Sequence, residues 1–144
     1  MEPMEQPSIE TEARTEPDAA RPVRVVIVDD QAPFRAVART VIMVSPGFEV
    51  VGESASGEEA VTVSRELEPD LVLMDINLPG INGIEATRQI VDERPGTAVL
   101  LLSTYGVGDL PADALTCGAT DYVHKEDFGP AVVADAWAQY RSRA

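Results

Sequence analysis

The chain has 144 residues, of which 44% are apolar and 25% are charged, a composition typical of one globular domain. Its formal net charge is −14, which repels phosphate backbones and anionic lipids, so we expect this chain to bind neither nucleic acid nor a membrane surface. A single cysteine, Cys117, and no apolar run near the ~18 residues that span a bilayer predict a reduced, cytoplasmic protein.

The first 22 residues differ in composition from the rest of the chain. Residues 1–22 contain four prolines, and their sizeable apolar side chains are limited to Met1, Met4 and Ile9. A segment so poor in apolar residues cannot bury enough surface to offset the entropy lost on ordering. We therefore predict a disordered acidic tail over residues 1–22 and one folded domain over residues 23–143.

The first half of the folded part alternates between strand and helix patterns. Val23–Val28 is a short, β-branched, apolar run, which favours a strand buried on both faces. Phe48–Val51 is predicted as the second strand, and Ser56 with Glu59 forms a capping box at the start of the second helix. The first helix lies between these strands, and its apolar stripe consists of Phe34, Val37, Ala38, Val41 and Ile42.

The second half continues the alternation with three more predicted strands, Leu71–Ile76, Ala98–Leu102 and Asp121–His124. Asn82 can cap the third helix, and Pro130 can open the fifth and last one. A fourth, weak helix is predicted around residues 111–117, where a glycine-rich segment ends in Pro111. Five successive strand–helix units imply an α/β fold with one mostly parallel sheet covered on both faces.

Polar residues gather where the predicted strands end, which is where ligand sites of such folds lie. Asp29 and Asp30 end the first strand, Asp75 the third and Ser103 the fourth, while Lys125 follows the fifth. The chain has ten arginines and a single lysine, which favours a specific role for the compact charge of Lys125. Three carboxylates, a hydroxyl group and a cation are thus expected to meet at one edge of the sheet.

This set of groups indicates phosphoryl chemistry. Three neighbouring carboxylates repel one another and favour a hard divalent cation, and Mg²⁺ suits an open site because it keeps several waters. A carboxylate beside Mg²⁺ can attack a phosphoryl group, while Lys125 and Ser103 contact the transferred oxygens. Asp75 is the expected acceptor, because it ends the central strand.

Four segments in order, VRVVIVDDQ, LVLMDINLPGINGIEA, VLLLST and GATDYVHKED, resemble the receiver domain of two-component response regulators. The resemblance covers about residues 23–143 and is greatest to receivers of the LuxR-type subfamily. It implies a flavodoxin-like (βα)5 three-layer sandwich with strand order 2-1-3-4-5. It also implies a signalling switch rather than a conventional enzyme: a domain that takes a phosphoryl group from a sensor histidine kinase or a small phosphodonor onto Asp75 and later loses it.

The same resemblance implies a ligand set for Mg²⁺. Asp30 and Asp75 would bind the ion directly, Asn77 would bind it through its backbone carbonyl, and Asp29 would act mainly through water. Lys125 would contact the phosphoryl group.

The resemblance further implies how the switch is relayed. Ser103 matches the family's switch hydroxyl, with Thr104 as the less favoured neighbour, and Tyr122 matches the aromatic switch. The output surface would be the face of the fourth helix, fifth strand and fifth helix, which would bind a downstream protein or form a homodimer. The glycine-rich segment 105–111 should make the fourth helix short and mobile, and we expect no output domain after the fifth helix.

Two other function classes stay open. A phosphorylation-independent interaction module with a receiver fold would usually lack the acidic pair, the acceptor or the lysine, and all of these are present. A phosphatase of the haloacid-dehalogenase type would have a D-x-D-x-T motif at the first strand, whereas Asp75 lies at the third. His124 has no partner at ligand spacing and is interpreted as an ordinary strand-end residue.

Overall fold

Strands alternate with helical segments through residues 21–143, the part of the chain that the computed structural model describes. The five strands are β1 Val23–Val28, β2 Phe48–Ser54, β3 Leu71–Asp75, β4 Ala98–Ser103 and β5 Asp121–His124. The four α-helices are α1 Ala32–Met43, α2 Gly57–Leu67, α3 Gly83–Glu93 and α4 Pro130–Arg143. Residues 1–20 of the predicted tail lie outside the described residues, so the division into tail and domain stays a prediction.

All five strands are parallel and form one sheet in the order β2-β1-β3-β4-β5. Two apolar cores cover the sheet. One core joins the sheet to α2 and α3, and the other joins it to α1 and α4. This is the predicted three-layer α/β arrangement, and it gathers the carboxyl ends of the strands at one edge.

Side-chain caps begin the two helices on the α2–α3 face. The Ser56 hydroxyl accepts a hydrogen bond from the Glu59 N–H (3.1 Å), and the Glu59 carboxylate accepts one from the Ala55 N–H (2.8 Å). Asn82 Oδ1 likewise accepts from the Glu85 N–H (2.9 Å) at the start of α3. The Ser56 and Asn82 bonds satisfy helix-start amides, as the predicted caps require, whereas the Glu59 carboxylate bonds to the Ala55 N–H and not to the Ser56 N–H of a capping box.

The apolar stripe of α1 is narrower than predicted. Phe34, Ala38 and Ile42, spaced four residues apart, face the sheet, and the last two are fully buried. Val37 is 52% exposed, so its predicted inward position is wrong. Successive side chains of an α-helix point about 100° apart, so Val37 points away from the sheet although its neighbour Ala38 faces it.

The predicted fourth helix is not an α-helix. Two short 3₁₀ helices, Val107–Asp109 and Ala112–Leu115, stand in its place, with Pro111 between them. Proline has no N–H to donate, so it can open a helix but not continue one, and Pro111 separates the two short segments. As a result, α4 is the fifth helix of the sequence prediction. No helix within residues 21–143 has the length and apolar composition to cross a bilayer.

Candidate functional site

Three carboxylates meet at the carboxyl edge of the central strands. Asp29 and Asp30 follow β1, and Asp75 ends the adjacent strand β3; one oxygen from each lies within 4.8 Å of the others. Asp29 and Asp75 are 1% and 3% exposed, whereas Asp30 is exposed. Hard oxygen donors that are buried on one side and open to solvent on the other fit a divalent cation that keeps several waters, as Mg²⁺ does.

Lys125 inserts its ammonium group between the two buried carboxylates. Its Nζ lies 2.7 Å from Asp29 Oδ2 and 3.5 Å from Asp75 Oδ2, and the side chain is only 16% exposed. The same Nζ lies 4.5 Å from the centre of the Phe34 ring on α1, a cation–π distance. The structure therefore brings the chain's single lysine to the predicted acceptor, and Phe34 adds a contact that the stripe pattern of α1 did not indicate.

The two buried carboxylates are held in the same way. Asp29 Oδ1 accepts a hydrogen bond from the Gln31 N–H (2.8 Å), and Asp75 Oδ1 accepts one from the Asn77 N–H (3.2 Å). Such bonds to the amide two residues ahead are typical of aspartate at a turn. Each carboxylate thus has one oxygen fixed by the backbone and the other turned toward Lys125.

The environment of Asp75 opposes its ionisation. Burial, and then the charge of Asp29, raise the pKa of Asp75 to about 6, against the attraction of Lys125 and the Asn77 N–H. A nucleophilic carboxyl group must be ionised, and above this pKa most of the Asp75 population is. Because burial and Asp29 disfavour the ionised form of Asp75, a cation beside this carboxylate would stabilise that form.

The loop after β4 extends over the loop after β3. Ser103 is fully buried at the end of β4, and its Oγ accepts a hydrogen bond from the Tyr105 N–H (2.9 Å). The Tyr105 hydroxyl donates to Asn77 Oδ1 (3.3 Å). Thr104 is exposed. Of the two candidate hydroxyl groups, Ser103 therefore lies on the strand and Thr104 on the loop, while Tyr105 is a further neighbour that the sequence did not single out.

Tyr122 lies on β5, half-buried against the core that contains α2 and α3. Beside it a cavity of about 500 Å³ is lined by Gly106, Tyr122, His124, Glu126 and Val132. The structure thus places Tyr122 next to open space.

His124 makes hydrogen bonds that its sequence context did not reveal. Its Nε2 lies 3.0 Å from the Thr104 carbonyl oxygen, and its Nδ1 accepts from the Glu126 N–H (3.1 Å). Both partners are backbone groups, which side-chain patterns in a sequence do not reveal. The position of His124 at the end of β5, directly before Lys125, was the one available signal.

Comparisons with known proteins agree with this fold. The model of the response regulator receiver domain family matches residues 25–135. The transcriptional regulatory protein DegU of Brevibacillus brevis is 37% identical over 111 residues, which are 77% of this chain and 47% of DegU. The chain thus spans about half the length of DegU.

Two solved structures share the fold. A LuxR-family two-component response regulator from Aurantimonas sp. SI85-9A1 has a TM-score of 0.75 and 35% identity, over 84% of this chain and 86% of that one. A chain of the CheX–CheY–BeF3–Mg²⁺ complex from Borrelia burgdorferi has a TM-score of 0.70 and 31% identity, over 81% of this chain and 87% of that one. With the family model matching most of its length, the chain belongs to the response regulator receiver domain family.

Proposed function

We propose that this chain is a phosphorylation-dependent signalling switch in which Asp75 accepts a phosphoryl group from a sensor histidine kinase. The observation that carries the proposal is the position of Lys125 Nζ, 3.5 Å from Asp75 Oδ2 within a cluster of three carboxylates. A cation and a nucleophile so close together can hold and attack the same phosphoryl group. Membership of the receiver family supports the same function.

Mg²⁺ fits the donor set of this site. Asp30 and Asp75 would bind it directly, the backbone carbonyl of Asn77 would complete the protein ligands, and Asp29 would act through water. When bound, the ion neutralises charge on the carboxylates and on the transferred oxygens. A chain of the Borrelia burgdorferi complex, which contains both Mg²⁺ and BeF3, shares this fold and supports the assignment.

The phosphoryl transfer follows from the geometry of Asp75. Its Oδ1 is held by the Asn77 N–H, so Oδ2, on the Lys125 side, is the attacking oxygen. A bond forms between Oδ2 and phosphorus while the bond from phosphorus to the donor breaks, and the donor keeps the electron pair. The product is an acyl phosphate whose oxygens Lys125 contacts. Attack of water on that phosphorus would release inorganic phosphate and regenerate Asp75, which is the autodephosphorylation expected of a switch.

The switch itself would involve Ser103 and Tyr122. The Ser103 hydroxyl already accepts a bond and has its own hydrogen free to donate to a phosphoryl oxygen. Movement of Ser103 would move the loop after β4, and the cavity beside Tyr122 offers that ring space to rotate. The output face would comprise residues 105–117, β5 and α4, and it would bind a downstream protein or a second copy. We propose that the reaction takes place in the cytoplasm, with a sensor histidine kinase as the donor and a downstream protein or a second copy as the target.

Labelling with acetyl phosphate tests the proposed function. The wild-type protein should incorporate phosphoryl groups in Mg²⁺ and far fewer in EDTA. Asp75→Asn should incorporate none, because an amide is not a nucleophile. Asp135→Asn, at an exposed position on α4, is the matched control and should label like the wild type. Equal labelling of Asp75→Asn and the wild type would refute the proposal.

A further inference from the structure

His124 uses both of its ring nitrogens. A backbone N–H can only donate, so the bond from the Glu126 N–H requires an unprotonated Nδ1. The ring hydrogen must then be on Nε2, which donates it to the Thr104 carbonyl oxygen at 3.0 Å. The neutral ring therefore joins the loop after β4 to the turn after β5. We refer to these two hydrogen bonds as the His124 bridge.

The bridge joins two segments that directly follow the residues proposed to contact the phosphoryl group. Thr104 directly follows Ser103, and Glu126 directly follows Lys125. Ser103 and His124 are also paired across the parallel strands β4 and β5. A change in the Nε2 bond therefore changes the position of the Thr104–Tyr105 peptide, whose N–H donates to Ser103 Oγ.

The sheet order gives the direction of the effect. β4 lies between β3, which carries Asp75, and β5, which carries His124. Movement of Ser103 and the following Thr104–Tyr105 peptide toward a phosphoryl group on Asp75 is movement away from β5. It lengthens the distance from His124 Nε2 to the Thr104 oxygen. The Nε2 bond is thus a feature of the unphosphorylated arrangement.

We propose that His124 is a positioning residue that favours the resting position of the loop after β4 and so opposes switching. This inference rests on the proposed function. A ligand or modification shifts a two-state equilibrium by its differential interaction with the two states, and the same holds for an internal hydrogen bond made in only one of them. One net hydrogen bond corresponds to a change of about two- to ten-fold in that equilibrium.

Two substitutions separate the two bonds of the bridge. His124→Asn keeps an acceptor for the Glu126 N–H, since asparagine caps helix starts well, as the 3₁₀ helix Lys125–Asp127 requires. Its amide is too short to reach the Thr104 carbonyl. His124→Gln carries an amide nitrogen at about the distance of Nε2 and can keep the donor to Thr104. The two variants are therefore reciprocal: His124→Asn keeps only the bond from the Glu126 N–H, and His124→Gln keeps only the bond to the Thr104 carbonyl.

Calorimetric titration with beryllofluoride in Mg²⁺ tests the inference, together with hydrogen exchange of the ligand-free proteins. We expect His124→Asn to bind beryllofluoride about two- to ten-fold more tightly than the wild type. Its Tyr105 amide, which donates to Ser103 Oγ, should exchange faster before the ligand is added. His124→Gln should resemble the wild type in both measurements.

Unchanged or weaker binding by His124→Asn would overturn the inference, even if the wild type bound normally. So would equal exchange of the Tyr105 amide in all three proteins. Failure of the proposed function has a different signature. In that case the wild type would not bind beryllofluoride, or Asp75→Asn would bind it equally well, and the role of His124 would be refuted with it.

Discussion

Ionisation of the Asp75 carboxyl group destabilises the folded protein relative to the unfolded chain. Its pKa of about 6 in the folded state exceeds its ordinary value of 3.8, so the folded state binds the proton more tightly than the unfolded one. The free energy of unfolding therefore falls as pH rises from about 4 to 6, and the loss is complete above the folded-state pKa. Nucleophilicity at this position is obtained at the expense of stability.

Asp75→Asn should consequently stabilise the metal-free domain. At pH 7.5 in EDTA its free energy of unfolding should exceed that of the wild type by up to about 3 kcal/mol, because the amide has no charge to bury. The difference should shrink as pH falls from 6 to 4, where the wild-type carboxylate becomes protonated. Urea unfolding of both proteins across this pH range measures it. A difference that grew toward low pH would contradict the pKa argument.

Lys125→Arg should impair the site although it keeps the positive charge. The ammonium group lies between two carboxylates and over the Phe34 ring, and a planar guanidinium group is too large for the same position. Loss of one charge-assisted hydrogen bond to a phosphoryl oxygen should weaken beryllofluoride binding by about ten-fold or more. Arg141→Lys, at an exposed position on α4, makes the reverse exchange and should bind as the wild type does. Equal binding by the wild type, Lys125→Arg and Arg141→Lys would indicate that Lys125 has no specific role in binding the phosphoryl group.

At the scale of elements, the start of α3 fixes the end of β3. The Gly83 N–H donates to the Ile76 carbonyl (2.8 Å), and a Cβ on Gly83 would overlap the carbonyl oxygen of Asp75. The helix can therefore approach the acceptor strand so closely only because this residue has no side chain. The contact ties the orientation of Asp75 to the packing of α3.

Gly83→Ala should destabilise the domain and slow phosphorylation together. Relief of the overlap must shift either α3 or the end of β3, and forced repacking of this kind costs about 1–3 kcal/mol. Gly96→Ala is the control, since a Cβ there would meet nothing within 4 Å. Thermal unfolding and acetyl phosphate labelling of both variants check the prediction. Equal stability of the two variants would show that the contact is unimportant.

The elements that the sequence predicted well are those that periodicity determines. The bounds of β1 and β5 agree with the prediction, because each is an isolated run between clear breaks. The prediction of a fourth α-helix was wrong, since two 3₁₀ helices lie on either side of Pro111. The inward position predicted for Val37 was wrong because a stripe pattern does not indicate how much of a helix surface the sheet covers.

Some contacts of the candidate site could likewise be predicted from the sequence, and others could not. Sheet topology alone predicts that Asp29, Asp75 and Lys125 approach one another, since parallel strands end at one edge. The contacts of Phe34 and His124 depend on loop conformation and helix rotation, for which the sequence carries no periodic signal. Topology was therefore predictable, and the residues that orient the site were not.

At the scale of the whole molecule, the proposed signal travels from one edge of the sheet to the face formed by residues 105–117, β5 and α4. Short 3₁₀ helices and exposed side chains such as Leu115, which is 77% exposed, distinguish residues 105–117 from the continuous α-helices α2 and α3. Segments with few buried contacts open at low free energy. The fold thus places its least regular segment next to the proposed switch residue.

Hydrogen exchange with and without beryllofluoride should show its largest change in residues 103–125. The added negative group acts on Ser103 first, and the loop beyond it offers the least resistance to movement. Exchange in α2 and α3 serves as the internal reference and should change little. A change confined to α2 and α3 would refute this output face while leaving Asp75 as the proposed acceptor.

The most direct test of the central claim is to locate the phosphoryl group chemically. After reaction with acetyl phosphate and Mg²⁺, borohydride reduces an aspartyl phosphate to homoserine, which peptide mass spectrometry can assign to one position. We predict homoserine at position 75 in the wild type and none in Asp75→Asn. Homoserine at position 29 or 30 instead, or unmodified aspartate at all three positions, would contradict the account.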